Sequence, residues 1–312
     1  MPLAVGPAMS ATGGREGLFL FIATLIAADR LSRGDISAVE DAARGAGLEL
    51  SGGAWVEEGS AFDLHFEALA SVNVVLLERS ISGVDIVVQR AADRRRSLLV
   101  ADMDSTMITV ECIDELADYA GVRAEIAEIT EQAMRGELGF EAALDARVAL
   151  LRGLDAAAID RCYDERVRIT PGAVPLVRTM RAHGAPCVLV SGGFSQFADR
   201  VAAEIGFDRA VSNSLGVAAG RLTGTVGRPV VGAEGKRLAL LEACAGHGIA
   251  AGQALAVGDG ANDIPMIEAA GLGVAFHAKP AAAAAAHARI RHNDLTALLY
   301  AQGYSRSEWV TA

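Results

Sequence analysis

Two aspartates one residue apart, Asp102 and Asp104, follow an unbroken apolar run, Leu98 to Ala101. Such a run suits a strand buried on both faces, and open α/β sheets bind their ligands just past the C-terminal ends of such strands. Side chains alternate along extended chain, so the two carboxylates can point the same way and form an acidic pocket for a hard cation. Taken alone, a strand followed by an acidic turn explains the stretch equally well. Two more apolar runs end in polar loops. Pro186 to Val190 leads into Ser191-Gly192-Gly193, and Ala254 to Val257 leads into Gly258-Asp259-Gly260-Ala261-Asn262-Asp263. Lys236 stands near the head of a helical segment between them. Singly, these are a turn, a loop and a solvated lysine. In this order, with the three loops each behind a strand signal, they are hard to assign to chance.

The set fits phosphoryl transfer. Asp102 can attack phosphorus and carry it as an aspartyl-phosphate. Asp104 can protonate the leaving alkoxide and then take a proton from water. Mg²⁺ favours a few carboxylates plus water and phosphate oxygen, so Asp102, Asp259 and the Asp104 backbone carbonyl are its candidate ligands. Ser191 and the Gly192 N–H can hold phosphate oxygens, and Lys236 can neutralise charge on the transferring group. Asn262, on the substrate side, and Asp263, outside the metal ligands, would orient the lysine or the metal shell.

The elements that must position these residues alternate between strand and helix, which predicts an α/β fold. The expected architecture is a Rossmann-like parallel sheet core with a four-helix cap insertion, plus an N-terminal α+β domain. Residues 1–16 read as a disordered leader. Residues 17–92 read as the small α+β unit, with a helix from Ile36 capped by Asp35, a weak helix over Ala68–Ile81, and short strands at 48–50, 54–57 and 63–66. Arg90, Arg94, Arg95 and Arg96 read as a solvated linker. The core covers 97–110 and 170–302. The cap covers 111–169, where Glu111–Ala120, Ala124–Arg135, Phe140–Arg152 and Ala156–Arg168 show helical spacing, broken by Gly121, Gly136 and Gly153. A segment of that length beside the acidic loop suits a lid. Ala210–Val231 reads as a hairpin.

Composition bounds the partners. The 312 residues carry a formal charge of -11, which argues against nucleic acid. Mean hydropathy is +0.31, yet no 18-residue apolar run exists, so no membrane span is expected. Leu18–Ala28 has the length of a signal-peptide core, but Glu16 follows Arg15 and a first strand explains the run as well. Cys112, Cys162, Cys187 and Cys244 lie far apart and form no CxxC pair, which predicts reduced thiols and a cytoplasmic protein.

The motifs resemble those of the haloacid dehalogenase-like superfamily of phosphatases, whose pattern is Asp-x-Asp-x-Thr, then Ser or Thr, then Lys, then Gly-Asp-x-x-x-Asp. Here these are Asp102-Met-Asp104-Ser-Thr106, Ser191, Lys236 and Gly258-Asp259-Gly-Ala-Asn-Asp263. Within that superfamily they look most like the phosphoserine phosphatase family. Glu111 after the first motif, Val-Ser-Gly-Gly-Phe at 190–194 and Phe276-His-Ala-Lys-Pro280 extend the likeness over about residues 97–302. The resemblance implies hydrolysis of phosphoserine with Mg²⁺, as the last step of serine biosynthesis. It implies that Glu111 binds the substrate amine, that Arg147 binds its carboxylate, and that Met134 and Phe140 close the site. It also implies that the N-terminal unit is of the small amino-acid-binding (ACT-like) kind, with regulation, dimerisation or mere support as its job. A phosphotransferase that passes phosphate to another alcohol, such as homoserine, and an amino-acid-sensing regulatory protein are the alternatives.

Overall fold

Leu98, Leu99, Val100 and Ala101 are wholly buried, as a strand covered on both faces requires. In a computed structural model, which describes residues 19–68 and 74–311 and every side chain there except that of Met134, this strand is central to a six-stranded sheet. The predicted leader lies outside the described residues.

The N-terminal unit runs β1 (Phe19–Ala27), α1 (Arg33–Gly45), β2 (Glu49–Glu57), β3 (Ala61–Ala68), α2 (Val74–Glu78) and β4 (Val84–Arg90). Its strands form an antiparallel sheet in the order β2-β3-β1-β4, a ferredoxin-like βαββαβ arrangement. Apolar residues of β1, β3 and α1, including Leu25, Phe66 and Val39, make its core.

The main sheet follows. β5 (Leu98–Ala101) leads into the cap helices α3 (Cys112–Ala120), α4 (Arg123–Met134), α5 (Phe140–Leu150) and α6 (Ala157–Arg166). The chain returns through α7 (Ala173–Ala182), β6 (Cys187–Phe194), α8 (Ser195–Ile205) and β7 (Arg209–Asn213). A hairpin of β8 (Leu215–Ala218) and β9 (Arg221–Val226) precedes α9 (Ala233–His247). β10 (Ala254–Gly258), α10 (Ile264–Ala269), β11 (Leu272–Phe276), α11 (Pro280–Ala285), β12 (Ala288–Ile290) and α12 (Ala297–Ala301) complete the fold. The strand order is β12-β11-β10-β5-β6-β7, and every pair is parallel. From β5 the chain builds one side through β6 and β7, then crosses to the other through β10. The order therefore reverses at β5, and the crevice beyond its C-terminal end is where such sheets bind ligands.

Several local expectations are corrected. The N-cap of α1 is Ser32, not Asp35. Ser32 Oγ accepts from the Asp35 N–H, and Asp35 closes a capping box by accepting from the Ser32 N–H. The pieces at 48–50 and 54–57 are one strand, β2, interrupted by two register shifts, and the 63–66 piece is the middle of the longer β3. Among the described residues of the predicted 68–81 helix, only Val74–Glu78 is helical; 69–73 lie outside the described residues. The Ala210–Val231 hairpin is really an edge strand, β7, which pairs in parallel with β6, followed by a shorter hairpin of β8 and β9. Finally, the arginine cluster is only in part the solvated linker expected: Arg90 and Arg95 are exposed, whereas Arg94 and Arg96 are drawn in. Arg94 pairs with Asp63 at 2.6 Å, Arg95 with Glu308 at 2.8 Å, and Arg96 is only 5% exposed. Arg94 and Arg96 are drawn in because the N-terminal sheet docks on the core. At the same junction Asp85 accepts from the backbone N–H groups of Arg291, His292 and Asn293 and from Asn293 Nδ2.

Candidate active site

Asp102 caps the buried β5. Its N–H donates to Val257 O at 2.9 Å on the neighbouring β10, which ties the first acidic motif to the last. The chain then turns tightly through 103–107, with Ser105 in the left-handed region at φ 54. This turn brings Asp104 back to the start of α3, where its Oδ1 accepts the Cys112 N–H at 2.9 Å. Ser191 Oγ donates to Asp104 Oδ2 at 3.1 Å and accepts from the Gly193 N–H at 2.8 Å. A Cβ on Gly193 would stand 2.7 Å from Asp104 Oδ2, so the missing side chain is what lets the two loops meet. A register shift in β6 between Val190 and Phe194 turns the Ser-Gly-Gly segment toward the pocket.

Lys236, on the first turns of α9, is wholly buried. Its Nζ lies 2.5 Å from Asp102 Oδ1 and 2.6 Å from Asp263 Oδ1. Asp263 also accepts the Gly260 N–H at 3.0 Å, which folds the last motif over the lysine. Thr106 reaches Asp259 at 3.5 Å. Carboxylate oxygens of Asp102, Asp259 and Asp263 all lie within 4.8 Å of one another.

Charge is crowded here. Burial and the nearby Asp263 charge push the Asp102 carboxyl well above its usual range, against the pull of Lys236. Burial and Glu111 push Asp104 up to about 6. Burial and Asp263 push Asp259 up to about 6. Burial alone would lower the Lys236 ammonium, but the charges of Asp102 and Asp263 outweigh it and hold the group protonated. The buried carboxylates of Asp102, Asp259 and Asp263 against the buried Lys236 ammonium leave an excess of negative charge, which a divalent cation would relieve. The donor set is all oxygen, as a hard cation requires.

The cleft above these groups has a volume of about 730 Å³. Asp102, Asp104 and Asp259 line its floor, with Gly192 and Asn262 beside them, and Glu111 and Arg147 line it from the cap side. Glu111 Oε1 accepts from Ser105 Oγ at 2.8 Å. Arg147 is held by its Nε bond to Ala143 O at 3.3 Å, and among the described residues its guanidinium forms no ion pair. Phe140 spans the gap between cap and core. A Cβ would come within 3.4 Å of its ring at Gly192 and within 3.0 Å at Gly232, the N-cap of α9. The helix α4 ends at Met134, whose side chain lies outside what is described.

Two residues of this site were not singled out from sequence, and a third, Lys279, entered only inside the Phe276–Pro280 stretch. Asn213 donates to Gly192 O at 2.8 Å and accepts the Val231 N–H at 2.7 Å, so it holds the Ser-Gly-Gly loop against the start of α9. A polar residue closing a strand was its only signal. Lys279 lines the cleft with its Nζ 3.9 Å from Asp259 Oδ2. Asp114 lines the cap side near Glu111 and Arg147. Its place one helical turn past Glu111 could have marked it.

Comparison with known proteins bears on the fold and the family. Residues 99–268 match the haloacid dehalogenase-like hydrolase family model. A phosphoserine phosphatase of Streptomyces coelicolor is 47% identical over 233 residues, covering 74% of this chain and 57% of its own length. One from Polaromonas sp. is 48% identical over 207 residues, covering 65% of this chain and 88% of its own. The chain thus spans little more than half of the Streptomyces protein and most of the Polaromonas one. Among solved structures, a probable phosphoserine phosphatase from Vibrio cholerae superposes with a TM-score of 0.72 at 31% identity, over 93% of this chain and 88% of the other. The chain belongs to the haloacid dehalogenase-like hydrolase family.

Proposed function

We propose that this phosphatase hydrolyses O-phosphoserine to serine and phosphate through an aspartyl-phosphate on Asp102. The observation that carries the reading is one cleft lined by Asp102 and Asp104 on the floor and by Glu111 and Arg147 on the cap. A zwitterionic phosphoester needs a carboxylate for its ammonium and a guanidinium for its carboxylate, and an unpaired arginine can grip a carboxylate bidentately. The family relatives described above bear the name of the same activity.

A carboxylate oxygen of Asp102 attacks phosphorus as the bond to the serine oxygen breaks, and Asp104 gives its proton to the leaving alkoxide. A carboxyl already raised to about 6 suits that donation. Deprotonated Asp104 then takes a proton from the incoming water, whose oxygen displaces Asp102 from phosphorus and restores both carboxyls. Ser191, the Gly192 N–H and Lys236 hold the phosphoryl oxygens and offset their charge. Asp102, Asp259 and the Asp104 carbonyl would hold Mg²⁺, with Asp263 outside them. When bound, the ion supplies Lewis-acid stabilisation of phosphoryl charge. In this reading Phe140 and Met134 close the site to water until the serine alkoxide has left, after which water enters to hydrolyse the acyl phosphate.

In this reading, residues 97–110 and 170–302 are the catalytic core, 111–169 the lid, and 17–92 a separate ACT-like unit. The product serves serine biosynthesis in the cytoplasm, where four buried free cysteines stay reduced. Phosphate release should be measured across a panel of phosphorylated metabolites with Mg²⁺ present. Phosphoserine is expected to have the highest kcat/KM, and a different preferred substrate would overturn the assignment.

A further inference from the structure

A second cavity, of about 410 Å³, lies where the N-terminal sheet meets the core, and it shares no lining residue with the catalytic cleft. Phe21, Gln89 and Arg90 form one wall; Gly252, Gly271 and His287 form the other. Arg96 joins the two. Its Nη1 donates to Gly252 O at 2.9 Å and its Nη2 to Gln89 Oε1 at 2.8 Å, both neutral acceptors. Its Nε is buried without a partner, and among the described residues no carboxylate pairs with it. Taking a guanidinium out of water without a close ion-pair partner is costly; burial lowers this group below the ordinary arginine value, and the charge of exposed Asp93 only partly offsets that.

The surroundings are also donor-rich. His287 Nδ1 accepts the Gly273 N–H at 2.9 Å, which places the ring proton on Nε2 and leaves a second donor. Burial and the charge of Arg96 hold His287 below its usual value, so the ring is a neutral donor near pH 7. Arg90 lies over the Phe19 ring at 4.0 Å and forms no ion pair among the described residues. Asp93 is the one carboxylate lining the cavity, and it is exposed to water.

We propose that this cavity binds a small oxyanion, borne by phosphate or by a carboxylate, that neutralises Arg96 and accepts from Arg90 and His287. Because the walls come from both units, a bound anion ties the N-terminal sheet to the core. The proposal does not depend on the phosphatase reading.

Thermal unfolding of the full chain tests it, with chelator present so that the catalytic cleft holds no cation. Inorganic phosphate and L-serine serve as separate probes. Phosphate is expected to raise Tm by a few degrees, and a matching rise with serine that is lost in Arg96→Met would show that a carboxylate suffices. The rise should shrink at least twofold in Arg90→Gln, an exposed change that leaves the fold intact, and vanish in Arg96→Met. No rise with either probe, or an equal rise in Arg90→Gln, would overturn the proposal. Should Arg96→Met not fold, crystals soaked in selenate decide the matter. An anomalous peak beside Arg96 and His287 is expected, and an empty cavity refutes the site.

Discussion

The Lys236 ammonium lies 2.5 Å from Asp102 Oδ1; the lysine is wholly buried, and the Asp102 side chain is 5% exposed, at the floor of the cleft. The lysine also pairs with Asp263 at 2.6 Å, so it serves the proposed nucleophile and a neighbouring acid together. Removing one partner from such a cluster leaves unpaired buried charge, at about 3–5 kcal/mol. Lys236→Met should therefore unfold at lower denaturant by roughly that amount and lose at least about 100-fold in kcat. Denaturant titration and steady-state kinetics on one preparation check both. A stable variant with near-normal kcat would remove the lysine from the account.

Gly193 makes a narrower prediction. A Cβ there would sit 2.7 Å from Asp104 Oδ2 and 3.0 Å from Ser191 Oγ, so Gly193→Ala must displace the proposed acid. An ångström of displacement costs up to about 100-fold in rate. Gly193→Ala should lower kcat by about 10- to 100-fold with little loss of stability. Gly139→Ala, where a Cβ meets nothing within 4 Å, should leave kcat unchanged.

Metal removal tests the acidic cluster by a route that needs no turnover. A ligand at about 100 times its Kd stabilises the folded state by about 2.7 kcal/mol. Mg²⁺ should raise the melting temperature of the chelated protein, and Asp259→Asn should largely abolish that rise. Calorimetry with and without Mg²⁺ reads the difference. An unchanged rise in the variant would place the cation elsewhere.

Arg147 tests substrate choice. Truncating a residue that grips only the carboxylate should raise KM for phosphoserine by about 10- to 200-fold, equivalent to about 1.4–3 kcal/mol. An aryl phosphate without a carboxylate should be hydrolysed within about 3-fold of normal. Equal losses on both substrates would argue against the clamp.

Much of this was written in local signals. The all-apolar runs at 98–101 and 254–257 became parallel neighbours, because only a strand covered on both faces tolerates such a run. The glycines at 121, 136 and 153 do punctuate the cap, each with positive φ. What stayed hidden depended on contacts distant in sequence. Arg94, Arg95 and Arg96 look like a solvated stretch until Asp63, Glu308 and Gly252 are brought to them by docking. Asn213 acquires meaning only when Gly192 and Val231 converge on it. Asp35 is the third residue of the helix and not its cap, three positions past Ser32; the two act as a reciprocal pair, so either type could mark the start.

The central claim is that Asp102 carries the phosphoryl group. Rapid acid quench during turnover of phosphoserine, followed by peptide mass spectrometry, addresses it directly. The account predicts a hydroxylamine-labile phosphate on the peptide that contains Asp102, formed and lost at rates consistent with kcat and absent in Asp102→Asn. A protein that turns over phosphoserine while that peptide stays unmodified, or an Asp102→Asn variant with full turnover, would contradict it.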